Sequence, residues 1–307
     1  MKKFLIIVLV IIIAAVGGYY AFPEKVADYL INYERSKAGL VKKEIKIADL
    51  NIVYLEGGNG PTILLLHGYS ADKDSWTRFA AYLTKDYHVV IPDIPGHGES
   101  SKPLEAKYNV ANQIKRLHKF SQAIKINKIH IAGNSMGGWL AGAYAVLYPE
   151  DIASVGLFDA AGVKSLRPSE VYKSFAKGEN PLLLKDKDDL PRFMGLVFVN
   201  PPLLPYPFKK MFVQKAQANK SINEKMANDF KKEFNSLEKD LPKIKVPTLI
   251  LWGDKDKVLD ISSVPVFEKG LKKHKTVIIK NCGHLPMIEK AQETATEYLN
   301  FIKSVNN

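Results

Sequence analysis

The chain has 307 residues, is 46% hydrophobic and carries a formal net charge of +12, a size and apolar content that fit one α/β domain with an insertion. Its lysines are spread among acidic residues, without a basic block or a nucleic-acid motif, so a nucleic-acid partner is not expected. The basic surface is interpreted as solvated, with attraction to anionic lipid headgroups as the alternative. The only cysteine is Cys282, which excludes an intramolecular disulfide.

The first 22 residues form a separate segment. Lys2-Lys3 precede an apolar run from Phe4 to Val16, which continues through small and aromatic residues to Phe22. A membrane-spanning helix needs about 20 residues, so residues 1–22 are interpreted as an uncleaved signal anchor. A signal peptide cleaved near Val16-Gly17-Gly18, which would release a secreted protein, is the alternative. The two lysines predict a cytoplasmic N-terminus and a main domain on the periplasmic or extracytoplasmic side.

Strand and helix patterns alternate along the rest of the chain. A polar, helical linker is predicted over residues 23–43, followed by a hairpin of Glu44–Ala48 and Asn51–Leu55. The further predicted strands are Thr62–Leu66, His88–Ile91, Lys128–Ala132, Ser154–Phe158, Thr248–Trp252 and Thr276–Ile279. The later ones are continuous Val/Ile/Leu runs, typical of parallel strands covered by helices on both faces. The pattern predicts an α/β fold with a mostly parallel eight-stranded sheet.

The regular spacing breaks once, between Gly162 and Val246. A structureless loop of that length is not expected, so an inserted helical cap is predicted over residues 163–245. The cap divides the core into residues 44–162 and 246–307. The cap's apolar stretch, residues 193–199 and 201–208, is either its own core or an apolar channel with a membrane-facing lip.

The run Gly133-Asn134-Ser135-Met136-Gly137 stands between a predicted strand and a predicted helix, Trp139–Tyr148. A Gly-x-Ser-x-Gly run in this context is typical of a nucleophile elbow, a sharp turn that holds the serine in a strained backbone conformation at a helix N-terminus. Gly133 and Gly137 let neighbouring backbone approach without a Cβ clash. Ser135 is therefore the candidate nucleophile.

A serine hydroxyl needs a base to remove its proton, and the base needs an orienting acid. Both candidates follow predicted strands, at the edge where open α/β sheets place their sites. His284 is the candidate base. Asp256 is favoured as the acid by its spacing from the preceding glycine. Asp254, interpreted as a turn or capping residue, and Asp159, interpreted as a turn residue, are the alternative acids.

Charge on the reacting oxygen requires two fixed N–H donors. The backbone N–H of Met136, next after the nucleophile, is one, and that of Tyr69, in the loop after Thr62–Leu66, is the other. His67 and Gly68 are predicted to support this loop, and His97 is predicted to be structural. No metal ion or organic cofactor is expected.

These motifs together resemble the α/β-hydrolase fold superfamily over residues 44–304. They are His67-Gly68, Asp93-x-x-Gly96-His97-Gly98-x-Ser100, Gly133-x-Ser135-x-Gly137-Gly138, Gly253-x-x-Asp256 and Gly283-His284. Residues 67–76 and 134–139 are similar to the Moraxella and Psychrobacter lipases and to the membrane-anchored ABHD6 group of monoacylglycerol lipases. The resemblance implies hydrolysis of carboxylic esters, with acylglycerols or other fatty-acyl esters as substrates, and membrane lipids as partners of the N-terminal helix.

Two alternatives remain. Hydrolases that cleave C–C bonds of ring-fission products share the Gly-Asn-Ser-Met-Gly-Gly elbow, but their oxyanion loop is usually richer in glycine and they are not expected to carry an anchor. A catalytically silent, membrane-tethered binding module is the other, and the complete set of Ser135, Asp256 and His284 disfavours it. We expect a membrane-associated serine esterase or lipase that forms an acyl-enzyme.

Overall fold

The computed structural model describes residues 1, 4–5, 8, 16–184, 186–231, 233 and 236–306. Half of the predicted anchor, residues 1–22, lies outside the described residues. In the described half, residues 16–21 form a continuous helical stretch. Within the described ranges, no helix is both long enough and apolar enough to cross a membrane.

One sheet contains all eight strands found in the described residues. The strands are β1 (Leu40–Ile47), β2 (Leu50–Gly57), β3 (Thr62–Leu66), β4 (His88–Pro92), β5 (Ile129–Asn134), β6 (Ile152–Phe158), β7 (Thr248–Gly253) and β8 (His274–Ile279). Their order is β1-β2-β4-β3-β5-β6-β7-β8. β2 pairs antiparallel with β1 and β4, and all other neighbours are parallel. The predicted α/β architecture is confirmed, although β1 begins at Leu40 rather than Glu44.

Helices cover both faces of the sheet. They are α1 (Pro23–Lys37), α2 (Thr77–Ala80), α3 (Val110–Ala123), α4 (Met136–Leu147), α5 (Glu170–Ala176), α6 (Asp189–Val197), α7 (Tyr206–Ala218), α8 (Lys220–Lys231), α9 (Val264–Gly270), α10 (Pro286–Glu289) and α11 (Ala291–Asn306). Successive residues of a strand point to opposite faces. Leu64 and Leu66 of β3 therefore belong to the same core cluster as residues of α3, α4 and α9, whereas Ile63 and Leu65 belong to the cluster that includes α2 and α11.

The predicted linker is mostly α1, which packs against the folded domain. Ala27 is fully buried and Arg35 is 8% exposed. In the first turn of the helix, Glu24 accepts a hydrogen bond at Oε1 from Nε2 of Gln214 of α7, at 3.1 Å. Thus α1 is attached to the insertion as well as to the core.

The insertion, residues 163–245, carries α5, α6, α7 and α8 between β6 and β7. Ile222, Met226 and Phe230 of α8 belong to the main hydrophobic core. Residues 193–199 include the end of α6 and are mostly buried or half-buried, whereas Leu203 in the next stretch is 92% exposed. The first apolar stretch therefore packs partly against residues outside the insertion, such as Val258, and the second is open to solvent in part.

The strand order reverses next to β3. Its two neighbours are β4 and β5, so the loops after β3 and β5 leave the same edge of the sheet on diverging paths. In open α/β sheets this switch point is where ligands bind, and here it lies beside the Ser135 turn.

Candidate active site

Ser135 occupies the turn between β5 and α4 in a backbone conformation that is uncommon for a residue with a side chain. Its φ is +57° and its ψ is −119°, a strained combination outside glycine. Three backbone hydrogen bonds hold it: Ser135 N–H donates to the carbonyl of Phe158 at 3.0 Å, and its own carbonyl accepts from Trp139 at 3.1 Å and Ala161 at 3.0 Å. The surrounding elements therefore impose the strain.

Close backbone packing explains the flanking glycines. A Cβ on Gly133 would overlap the carbonyl of Gly137, and one on Gly137 would overlap the carbonyl of Leu66 at the end of β3. A Cβ on Gly68 would lie 3.4 Å from that of Ser135. The elbow is thus pressed against the loop after β3, which we call the β3 loop (residues 67–76).

The structure brings His284 and Asp256 together. His284 Nδ1 lies 2.8 Å from Asp256 Oδ2, with the two side chains 6% and 0% exposed. Asp256 Oδ1 accepts the backbone N–H groups of Val258 at 2.7 Å and Leu259 at 3.0 Å. These donors orient the carboxylate toward His284. Because Nδ1 of His284 faces Asp256, Nε2 is the nitrogen available for proton transfer.

Asn134 links the elbow to the β8 loop (residues 280–285), which carries His284. Its Nδ2 donates to the carbonyls of His284 at 2.9 Å and Phe158 at 3.2 Å. No hydrogen bond between the Ser135 hydroxyl and the His284 ring occurs among the described residues. Such contacts are often long without substrate and shorten in the reacting complex.

Neither alternative acid hydrogen-bonds His284. Asp254 Oδ1 accepts the backbone N–H of Cys282 at 3.3 Å, and Asp159 Oδ1 accepts that of Gly253 at 2.9 Å. One ligand-type atom each of Asp159, Asp256 and His284 lie within 4.8 Å of one another, a spacing a metal ion could also use. The direct Nδ1–Oδ2 contact favours an oriented imidazole instead.

His67 ties the β3 loop to the loop after β4. It is fully buried; Nε2 accepts the N–H of Ile94 at 3.0 Å, so Nδ1 carries the proton and donates to the carbonyl of Gly68 at 2.8 Å. Burial lowers the pKa of His67, which keeps the ring neutral. His97 lies edge-on to it, with ring centroids 5.0 Å apart, and its Nδ1 lies 3.3 Å from the carbonyl of Ile94.

The two candidate donors belong to the elbow and to the β3 loop that packs against it. Met136 is the first residue of α4, a position at which the N–H group has no intrahelical partner, and Tyr69 follows Gly68 in the β3 loop. Neither N–H donates a hydrogen bond within the described part of the chain. They are available to an oxygen bound at this edge.

Side chains of the β3 loop also bind the insertion. The hydroxyl of Tyr69 donates to the carbonyl of Asn223 at 2.7 Å, and Asn223 Nδ2 donates to Oγ of Ser70 at 3.0 Å. Lys215 of α7 lies 3.1 Å from Asp72. Burial raises the pKa of the Tyr69 hydroxyl. The insertion thereby holds the loop that supplies one N–H donor.

A buried charge network, which sequence reasoning missed, supports the β3 loop. Lys73 is 1% exposed, and its Nζ contacts Asp93 Oδ2 at 2.7 Å and Glu99 Oε1 at 2.8 Å. Arg35 of α1 binds Asp74 through two bonds of 2.7 Å each. A partial signal existed, because Asp93 opens one of the motifs noted above.

Glu289 of α10, also missed, clamps the β8 loop to the insertion. Its Oε2 accepts the N–H of Gly283 at 2.9 Å, and its Oε1 accepts those of Asn200 at 2.7 Å and Val199 at 3.1 Å. His284 N–H donates to the carbonyl of Val197, at the end of α6, at 2.9 Å. No local sequence pattern marks Glu289.

This chain is similar to known proteins over most of its length. Residues 61–291 match the family model of the α/β hydrolase fold. The chain belongs to the α/β-hydrolase family. Lipase 1 of Psychrobacter immobilis is 37% identical over 277 residues, 89% of this chain and 87% of that lipase. Monoacylglycerol lipase ABHD6 of Mus musculus is 30% identical over 310 residues, 96% of this chain and 92% of that enzyme.

Among solved structures, a membrane phospholipase A described as a bacterial virulence factor superposes with a TM-score of 0.92. It is 43% identical, and the match covers 100% of both chains. With the lipase relatives, this similarity identifies the present α/β hydrolase as a carboxylic ester hydrolase.

Proposed function

We propose that this hydrolase is a membrane-associated lipase or esterase that cleaves fatty-acyl esters, with acylglycerols or related lipids as substrates. The observation that carries the proposal is the buried His284–Asp256 pair, 2.8 Å apart, joined through Asn134 to the strained Ser135 elbow. The lipid-cleaving relatives, a lipase, a monoacylglycerol lipase and a phospholipase A, support the substrate class.

The mechanism is two-step acyl transfer. His284 Nε2 takes the proton of Ser135 as Oγ attacks the ester carbonyl, and Asp256 stabilises the imidazolium that forms. The alcohol leaves with a proton from His284, and an acyl group remains on Ser135. Water then attacks the acyl-enzyme with His284 again as the base, which frees the fatty acid.

The oxyanion is bound by the N–H groups of Met136 and Tyr69. Preorganised donors of this kind stabilise charge that develops in the transition state, without reorganisation during the reaction. His67 and Gly68 keep the β3 loop in position, and Gly133 and Gly137 allow the elbow to pack against it. No step needs a metal ion or cofactor.

The insertion, residues 163–245, acts as the cap and selects the acyl chain. It touches both site loops, through Tyr69 and through His284. Residues 1–22 anchor the protein to the membrane, with the catalytic domain on the extracytoplasmic side. The exposed rings of Tyr20 and Phe22 fit an interfacial position at the end of that segment.

The test combines Ser135→Ala with substrates of graded chain length. We expect Ser135→Ala to lower kcat by several orders of magnitude without a change in thermal unfolding, and to abolish labelling by a fluorophosphonate probe. Near-normal ester hydrolysis by this variant would remove the triad assignment. Faster turnover of ring-fission products than of esters would favour C–C hydrolysis, and an unlabelled wild-type protein would favour a silent binding module.

Cell fractionation tests the anchor. We expect the full-length chain in the membrane fraction, with its N-terminus intact. A soluble mature protein that begins near Tyr19 would show a cleaved signal peptide instead.

A further inference from the structure

Asp159, the first residue after β6, is a buried carboxyl group that the proposed mechanism does not use. It is 0% exposed. Its Oδ1 accepts the N–H of Gly253 at 2.9 Å, whereas Oδ2 has no hydrogen-bond partner in the described part of the chain. The ion pairs among the described residues do not include it. A buried polar oxygen without a partner is costly unless it carries a proton that it can donate.

The Asp256–His284 pair faces this carboxyl group, since ligand-type atoms of the three side chains lie within 4.8 Å of one another. Three N–H donors already engage Asp256, from Val258, Leu259 and the ring of His284. Donors to a carboxylate favour its charged form. Asp159 has one donor. When two buried carboxyl groups share a site, one of them keeps a proton, and the donor count assigns it to Asp159.

The charges around Asp159 act in the same direction. Burial, and then the negative charge of Asp256, raise the pKa of Asp159 well above its ordinary value, and Glu289 adds to the effect. The remaining titratable neighbours are His284, which is bonded to Asp256, and Cys282, whose thiol pKa is raised by burial. No cationic partner of Asp159 occurs among the described residues, so its surroundings favour the neutral acid.

We propose that Asp159 is a positioning residue, a neutral carboxylic acid whose Oδ2–H donates a hydrogen bond to the Asp256 carboxylate and fixes it against His284. Its proton stays in place through the reaction, so the protons that move are those exchanged among Ser135, His284, the leaving alcohol and water. This inference rests on the proposed triad.

Asp159→Asn is the matched substitution. The amide keeps an acceptor for the N–H of Gly253 and supplies an N–H donor toward Asp256, and like a protonated acid it is uncharged. We expect kcat, KM and the acid limb of the kcat/KM–pH profile to remain at wild-type values. If Asp159 were ionised, Asp159→Asn would instead remove a negative charge beside His284. The midpoint of the acid limb would then fall by roughly one pH unit.

Asp159→Gly removes the donor. The φ of Asp159 is +44°, which glycine adopts without strain, so the variant tests the side chain rather than the turn. We expect kcat to fall roughly tenfold to a hundredfold, the effect of losing a hydrogen bond to a charged group, with KM little changed. Wild-type kcat in a folded Asp159→Gly variant would overturn the proposal. Asp254→Asn, on the next loop, is the control and should match wild type.

Infrared spectroscopy gives a readout that does not depend on activity. At neutral pH we expect the carbonyl band of a protonated carboxylic acid, absent from Asp159→Asn and shifted in Asp256→Asn. A spectrum without this band would overturn the proposal even if Asp159→Gly failed to fold. Ser135→Ala and Asp256→Ala, assayed in parallel, separate the two claims. If both keep their activity the triad itself is wrong, and if both lose it the Asp159 results bear on the positioning role alone.

Discussion

The β3 loop and the β8 loop meet at one edge of the sheet, but different interactions hold them. Charged side chains fix the β3 loop, with Lys73 between Asp93 and Glu99 and with Arg35 on Asp74. The β8 loop is held instead by hydrogen bonds from backbone N–H groups to carboxylates, such as the bond from Gly283 N–H to Glu289. The first arrangement depends on ionised partners from distant parts of the chain, and the second on neutral donors close to the reacting groups. We therefore expect stability effects from the first and rate effects from the second.

The largest expected effect lies on the β8 side. Asp256→Asn keeps the shape of the side chain but presents an amide to His284, which favours the wrong tautomer of the imidazole. We expect kcat to fall about 10⁴-fold, measured by steady-state ester hydrolysis, with little change in the unfolding midpoint. A decrease of less than about tenfold would mean that another group orients His284.

On the β3 side, Lys73→Met removes a cation from a pair whose side chains are 1% and 0% exposed. Breaking a buried pair leaves an uncompensated charge, which costs about 3–5 kcal/mol of the free energy of unfolding. Urea denaturation measures this loss, with Lys46→Met on an exposed position of β1 as the control. A loss of under about 1 kcal/mol, as for a surface pair, would contradict the contrast between the loops.

Glu289→Gln tests the clamp on the β8 loop. The amide retains one acceptor oxygen but presents an NH₂ group to one set of backbone donors, so the His284 loop shifts relative to Ser135. We expect kcat to decrease roughly tenfold or more, because small displacements of reacting groups slow catalysis strongly, while the unfolding midpoint changes little. Glu293→Gln, at an exposed position of α11, is the control. Equal losses in both variants would argue against the clamp.

The smallest expected effect is on the pH dependence of stability, to which Glu99 and Asp159 contribute with opposite signs. Although burial opposes it, hydrogen bonds from Lys42 and Lys73 lower the pKa of Glu99 to about 2. Its pairing therefore stabilises the fold above the unfolded pKa of about 4.5, and this stability is lost as the pH falls toward 2. The raised pKa of Asp159 acts in reverse, since the unfolded chain releases a proton that the folded chain keeps, so stability falls as the pH rises above about 4.

Thermal unfolding across pH distinguishes these two contributions. Glu99→Gln should flatten the stability loss between about pH 4.5 and 2, by a modest amount because the Glu99 side chain is 45% exposed. Asp159→Asn should raise the unfolding temperature at neutral pH more than at pH 4. If both variants changed the slope of unfolding temperature against pH in the same way, Glu99 and Asp159 would not have the opposite contributions described here.

The sheet and three site residues follow from local sequence signals. Ser135, Asp256 and His284 each follow a predicted strand within five residues and lie within three residues of a glycine, and β3 has the bounds that its apolar run predicts. The supporting contacts have no such signal. Arg35 and Asp74 are 39 positions apart, and Val199 and Glu289 are 90 apart, so only the folded chain shows that they meet.

Asp159 illustrates the same limit. The sequence places it in a turn, and its φ of +44° agrees. What it faces depends on how β6 and β7 lie side by side, which brings Gly253 and Asp256 to its carboxyl group. The position of Asp159 along the chain predicts the turn, whereas its neighbours across the sheet determine the protonation state of its carboxyl group.

The bidentate contact between Arg35 and Asp74 has a consequence for protein engineering. A shortened chain that starts at Pro23 discards the apolar leader and keeps α1 with its guanidinium. One that starts at Leu40 retains every strand of the sheet, yet it leaves the carboxylate of Asp74 beside Asp72 without its counterion. The useful place to trim this enzyme is therefore ahead of the first helix, not at the first strand.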